Sequence, residues 1–501
     1  MTTLQTARTV GDAAVKKRRT RRWIDDWAPE DPDFWESTGE SLARRNLVWS
    51  IFAEHIGFSV WLLWSVSAAL LAKVGFAFTP QQLFFLVALP NLVGSLLRLP
   101  YTFAVPKFGG RNWTVFSAFV LLAPTGLFGF FVQRPDTPYW VFLLIAAIAG
   151  VGGGNFSSSM TNINFFYPAR LKGSALGLNA AGGNLGVSLA QFFVPIVVGA
   201  GGAFGLVKAG EAIHLERAGY LYGGLAVIAG IAALMFMNNL SAAHSRPREL
   251  LSVGRYKHTW IMAFLYIGTF GSFIGYSAAM PLLIKINFFR APTPVDSIGI
   301  NFAYYAFLGA LVGSLTRPFG GWLADRIGGA KVTFACFLAM ITGTLGVFYT
   351  LTLLTPVPAS PGLTPAIVHA VNHNSGVFPW FLAAFLFVFA ATGIANGSTY
   401  RMIPHIFRAQ AHAVTSDGTV ERYAAEATAT KISSAALGLV GAVGALGGFL
   451  IPITFGSPWI HDPVANCKSA FLIFAAFYAI CLVVTYVVYV SKRSSMGRAG
   501  V

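Results

Sequence analysis

Twelve stretches of about 20 mostly apolar residues recur along this chain, and no other feature limits its fold as tightly. A helix of that length crosses a hydrocarbon layer roughly 30 Å thick. Inside such a layer every backbone N–H and C=O must find its partner within the segment, which selects helices over irregular chain. The stretches fall at 47–72, 83–105, 113–132, 139–163, 173–199, 219–239, 260–284, 300–324, 332–354, 379–400, 432–455 and 469–491. Composition agrees: 55% of the 501 residues are hydrophobic and 11% charged, far from the balance of a water-soluble domain. The expected fold class is an all-α polytopic membrane protein with twelve transmembrane helices. An even number of crossings puts both termini on one side.

A net charge of +16 would suggest nucleic acid, but its distribution excludes that partner. Of the 35 Lys and Arg, 26 lie in the tails and in loops on the side of the termini, and seven in loops on the other side. The positive-inside bias therefore puts both ends in the cytoplasm, as expected of a multi-pass protein of the cytoplasmic (inner) membrane. The two remaining cations are Arg98 and Arg317, each well inside an apolar stretch. A helix-centre arginine costs about 2.5–3.5 kcal/mol on insertion, so two of them call for a function.

The chain also repeats itself. "GSLLRLPYTFAVPKFGGRN" from Gly94 aligns without gaps on "GSLTRPFGGWLADRIGGAK" from Gly313, which sets Arg98 on Arg317. "GGGNFSSSM" resembles "TGIANGSTY", with Asn155 on Asn396 after a shift of one residue, and "LGLNAAGGNLG" resembles "LGLVGAVGALG". Three matches in the same order imply two parallel six-helix halves. The expected organisation is a solvated N-terminal tail over 1–46, bundles over 47–239 and 260–491, a linker over 240–259 and a C-terminal tail over 492–501. Trp23 and Trp27, four residues apart in the tail, could anchor a surface helix.

These features resemble the major facilitator superfamily. "GGWLADRIGGAK" is similar to its loop motif G-x-x-x-D-R-x-G-x-x-K. The resemblance implies a gate in which Asp325 pairs with Arg326, Lys331 or a neighbouring helix end. Gly321 would permit close helix contact and Gly328 the tight turn. The first-half copy has Pro106 where the aspartate would stand. Within the superfamily, "GGGNFSSSMTNINFFYP" and "GLNAAGGNLGVS" resemble the signature of the nitrate/nitrite porter family, with similarity running from about residue 47 to 491.

Nitrate is planar, carries one negative charge over three oxygens and has no donor. A guanidinium is planar, permanently charged and forked, so two arginines from symmetry-related helices can clasp such an anion between the halves. The resemblance places Arg98, Arg317, Asn184, Tyr266, Phe270 and Phe156 at the substrate site. Tyr266 and Phe270 stand four residues apart, on one helix face. Asn155, Ser159 and Asn162 form a stripe along the fourth stretch, and the glycines before them are expected to pack on the fifth.

The resemblance implies a secondary transporter of nitrate and nitrite. Two facing guanidiniums at roughly 7 Å and an effective dielectric near 20 repel by about 2–2.5 kcal/mol. A bound monoanion relieves the repulsion, so the loaded carrier crosses and exchange of nitrate for nitrite is favoured. Proton symport is the alternative; Glu54, alone among the 19 Asp and Glu in lying within an apolar stretch, and His55 would couple the proton. Transport of another small monoanion is a further alternative. Three unpatterned cysteines, scattered histidines and the lack of a G-x-x-x-x-G-K-[ST] loop leave no sign of an enzyme, metal, cofactor or ATP drive. The expected partners are the anions and membrane lipid, and the expected state is a monomer.

Overall fold

A computed structural model describes residues 23–241, 243, 253–290, 297–358, 362–414, 419–457 and 462–501. Residues 1–22, residues 242 and 244–252 of the linker expected at 240–259, and residues 415–418 of the connection at 408–431 lie outside the described residues. Twelve long helices are seen among the described residues. The first half holds α1 (Pro32–Val74), α2 (Pro80–Phe108), α3 (Gly110–Phe131), α4 (Tyr139–Phe166), α5 (Ala169–Val197) and α6 (Glu216–Phe236). The second holds α7 (Lys257–Phe288), α8 (Phe307–Ile327), α9 (Gly329–Thr352), α10 (Pro365–Val414), α11 over 419–455 and α12 (Ala465–Val490). Eleven are apolar and long enough to cross a membrane by composition alone. The other, α8, has its apolarity diluted by Arg317, Pro318 and four glycines.

The repeat is visible in backbone geometry. Gly109 ends α2 at φ 86°, ψ 144°, and its counterpart Gly328 ends α8 at φ 95°, ψ 132°. Both conformations suit glycine, and both turn the chain into the next helix. Beside one turn lies Trp23, and beside the other Val501, whose carbonyl accepts from Ala330 N at 3.3 Å. The two described ends thus share one side of the bundle.

The solvated-tail expectation is corrected from Trp23 onward. Strand β1 (Trp23–Ile24) pairs in parallel with β2 (Asn239–Leu240) beyond α6. Trp27 donates from its indole to the Phe165 carbonyl at 3.1 Å, and Glu30 accepts from Ala169 N at 2.8 Å, capping α5. Trp35 is buried, and helix begins at Pro32 rather than near residue 47. Trp23 and Trp27 form no surface helix: one lies in β1, the other in irregular chain. The C-terminal residues also fold back, through a short helix at Ser495–Arg498. The connection at 408–431 is largely helical too, as α10 runs on to Val414 and α11 starts at Thr419.

Candidate functional site

The fourth stretch is helical throughout, and its small residues let neighbours approach closely. A Cβ on Gly152 would strike the Gly57 carbonyl of α1, one on Gly153 the Trp61 ring at 2.6 Å, and one on Gly154 the Tyr101 ring of α2 at 2.9 Å. The glycine face therefore packs on α1 and α2, which corrects the expectation that α5 is its partner. Helix α5 meets the polar stripe one turn further on, where Asn179 bonds Ser159.

This packing fixes Arg98, which is wholly buried. Its Nε donates to the Gly153 carbonyl at 3.3 Å and its Nη1 to the Gly441 carbonyl on α11 at 2.9 Å. Its guanidinium carbon lies 4.6 Å from the Phe156 ring centre, 4.8 Å from Phe270 and 5.5 Å from Trp61. Trp61 is held by an indole bond to the Pro90 carbonyl at 2.9 Å. Arg317 enters from the opposite half, 5.8 Å from the same Phe156 ring and 5.7 Å from Tyr400. The symmetry-related arginines thus share one aromatic ring.

Phe156 stacks on Phe270 at 6.2 Å, and Phe270 on Tyr266 at 5.3 Å with 14° between planes. A π-helical turn at Ile267–Gly271 follows Tyr266 directly and carries Phe270. Gly444 of α11 leaves room for the tyrosine: a Cβ there would strike its ring.

Several polar atoms here are buried without a protein partner: Arg98 Nη2, Arg317 Nη1, Tyr266 Oη, and both amide atoms of Asn184 and Asn155. Buried polar groups are normally paired, so this concentration marks a place where something else supplies the bonds. The free atoms include donors from both arginines, a hydroxyl and an amide, a set suited to a small oxyanion.

Glu54 and His55, read as a possible pair, turn apart. Glu54 Oε2 accepts from Asn179 Nδ2 at 2.7 Å and from the Ser159 hydroxyl, while Oε1 has no protein partner. His55 Nδ1 donates instead to the Gly182 carbonyl at 3.1 Å. The Glu54 carboxyl is within electrostatic reach of both Arg98 and Arg317.

The residues expected to form a gate lie at the end of α8. Asp325 pairs with Arg401 Nε on α10 at 2.5 Å, not with the expected Arg326 or Lys331. Arg326 lies over the Trp322 ring, 4.0 Å from its centre. Gly328 makes the tight turn. Gly321 has open space where a Cβ would be; the close helix contact is made by Gly320 against Ile394 and by Gly397 against Arg317 and Gly321 backbone.

Sequence reasoning missed Arg401, Asn179, Tyr400 and Gly441 in these roles. Tyr400 closes the "TGIANGSTY" run with Arg401 directly after it, and Asn179 and Gly441 fall within the repeat matched between α5 and α11, so the neighbourhood was marked but not the partners.

The chain matches the Major Facilitator Superfamily model over residues 55–421. It is 38% identical to the nitrate/nitrite transporter NarU of Escherichia coli over 492 residues, covering 96% of this chain and 99% of that one. It is also 38% identical to the probable nitrate/nitrite antiporter NarK2 of Thermus thermophilus over 399 residues, covering 77% and 83%. Among solved structures, a D-xylose–proton symporter superposes with a TM-score of 0.59 at 15% identity, covering 91% of this chain and 98% of that one, which speaks for the fold alone. The two six-helix halves, the arginine repeat and these relatives make the chain a member of the nitrate/nitrite porter family of the major facilitator superfamily.

Proposed function

We propose that this protein transports nitrate and nitrite across the cytoplasmic membrane by alternating access, exchanging one anion for the other, with the described ends facing the cytoplasm. The observation that carries the reading is the buried arginine pair, one from each half, flanking the Phe156 ring with one guanidinium nitrogen of each left without a protein partner. A planar monoanion lying between them accepts forked bonds from both. Phe156 and Phe270 border the anion and limit its bulk; Tyr266 and Asn184 donate to its oxygens. Nitrite has the same charge and planarity, so one site serves both.

Alternating access needs a site that one layer of contacts can seal. On the side away from the described ends, the halves are joined by Lys285 Nζ to the Ala69 carbonyl at 2.7 Å and Asn301 to the Ala200 carbonyl at 3.0 Å. Deeper in, Gln191 donates to the Ser277 carbonyl at 2.6 Å. On the near side Asp325 and Arg401 tie α8 to α10 within the second half, and Arg326, Gly321 and Gly328 shape the same turn. Release of the bonds between the halves opens the far face to water, while the Asp325–Arg401 pair braces two helices of the half that moves. The excess of basic residues beside the described ends supports a cytoplasmic location for that side.

The test is nitrate uptake into proteoliposomes at equal pH inside and out, loaded with nitrite or with an inert anion. Exchange requires fast uptake only where nitrite is inside. Equal rates in both preparations would exclude it.

A further inference from the structure

Glu54 adds a third charge to the arginine pair. It sits in α1 one turn before Phe58, whose ring stacks on Phe156 at 6.1 Å. Its carboxyl accepts from Ser159 of α4 and Asn179 of α5, and a Cβ on Gly183, next to Asn184, would strike its free Oε1. Four helices bring titratable or charged groups near it: Arg98 from α2, Arg317 from α8, Tyr400 from α10, and His55 on its own helix. A carboxylate held this way lies within electrostatic reach of two cations, and among the described residues it is the one Asp or Glu side chain placed well inside a membrane span.

Resting on the nitrate reading above, we infer that Glu54 is the proton-binding group that lets the emptied carrier return, so that one proton accompanies each nitrate in net transport. Charge balance carries the argument. With nitrate bound and Glu54 protonated, two guanidiniums and one anion leave a single positive charge. With the site empty and Glu54 ionised, two guanidiniums and one carboxylate leave the same charge. The proton binds Glu54 from water on the side where nitrate enters and leaves to water on the other side after nitrate departs. Ionised Glu54 then supplies the counter-charge that the departed anion removed, and relieves the repulsion that would hold an empty site open. Ser159 and Asn179 hold the carboxyl in both forms, because a hydroxyl can donate or accept and an amide offers both. Exchange needs no such step, since an anion is present at each crossing. The carrier therefore has two modes, and Glu54 separates them.

Glu54→Gln keeps the shape and bonding capacity of the protonated acid but cannot ionise. The experiment compares wild type, E54Q and His55→Asn in proteoliposomes. Net nitrate uptake into nitrite-free vesicles is measured with and without an acid-outside gradient, beside exchange into nitrite-loaded vesicles across external pH. With one proton carried per nitrate, each pH unit of acid-outside gradient should raise the nitrate accumulated by wild type about tenfold. E54Q should lose that response while exchange continues with no dependence on pH, and H55N should keep it. A gradient response in E54Q, its absence in wild type, its loss in H55N alone, or loss of exchange in well-folded E54Q would each overturn the inference. Failure of wild-type exchange would instead sink the antiport reading.

Discussion

Arg98 donates from Nη1 to the carbonyl of Gly441, 2.9 Å away on α11 of the other half. An arginine proposed to bind substrate thus also touches the opposite half. On that proposal, movement between the halves and changes in the substrate's bonding are coupled at one guanidinium, whose remaining Nη2 has no protein partner.

Tyr266→Phe separates a substrate role from a packing role by sign. The hydroxyl is buried, makes no hydrogen bond of ordinary geometry and lies close to the Arg317 guanidinium, so its removal should change the stability of the anion-free protein little. If it donates to nitrate, affinity should fall by about 1 kcal/mol, roughly fivefold. Titration calorimetry with nitrate, beside a thermal melt of the anion-free protein, measures both.

Gly152→Ala tests the crossing of α4 on α1. Its new methyl would meet the Gly57 carbonyl, a backbone atom that cannot rotate away. Overpacking of this kind costs about 1–3 kcal/mol, so the detergent-solubilised variant should melt earlier. Gly177→Ala on α5, where a Cβ meets nothing within 4 Å, should melt with wild type.

Asp325→Asn removes an ion pair whose partners are both nearly half exposed. Such pairs contribute about 0–1 kcal/mol to stability, so melting should barely change. If the pair latches α8 to α10 in one state, the exchange rate should fall several-fold with nitrate affinity retained, and the swap Asp325→Arg with Arg401→Asp should recover part of it. Exchange kinetics across nitrate concentration separate rate from affinity.

The fold was legible because a membrane leaves few choices: apolar length located every long helix, and the repeat paired Arg98 with Arg317. Helix ends were not, since α10 continues as helix well beyond its apolar stretch at 379–400, where no hydropathy signal marks it. The first helix begins at Pro32 through a polar run, stabilised by Trp35 packing that no local pattern announces. At the site, the family resemblance grouped Arg98, Phe156, Phe270 and Tyr266, and the structure sets them side by side. Partners distant in sequence were not visible: Asp325 meets Arg401 across 76 positions, and Glu54 meets Asn179 across 125. A loop charge and a mid-helix carboxylate each have several sterically reasonable partners, and only tertiary packing selects one.

The most direct test of the central claim is nitrate affinity in wild type, Arg98→Lys, Arg317→Lys and the double variant, measured by calorimetry on the purified protein. Lysine keeps the charge and removes the fork. If one anion is clasped by both guanidiniums, each single variant should lose about 1.5–3 kcal/mol, roughly 10- to 150-fold, and the double variant should lose less than the sum. Nitrate binding as tight in both single variants as in wild type would contradict the account.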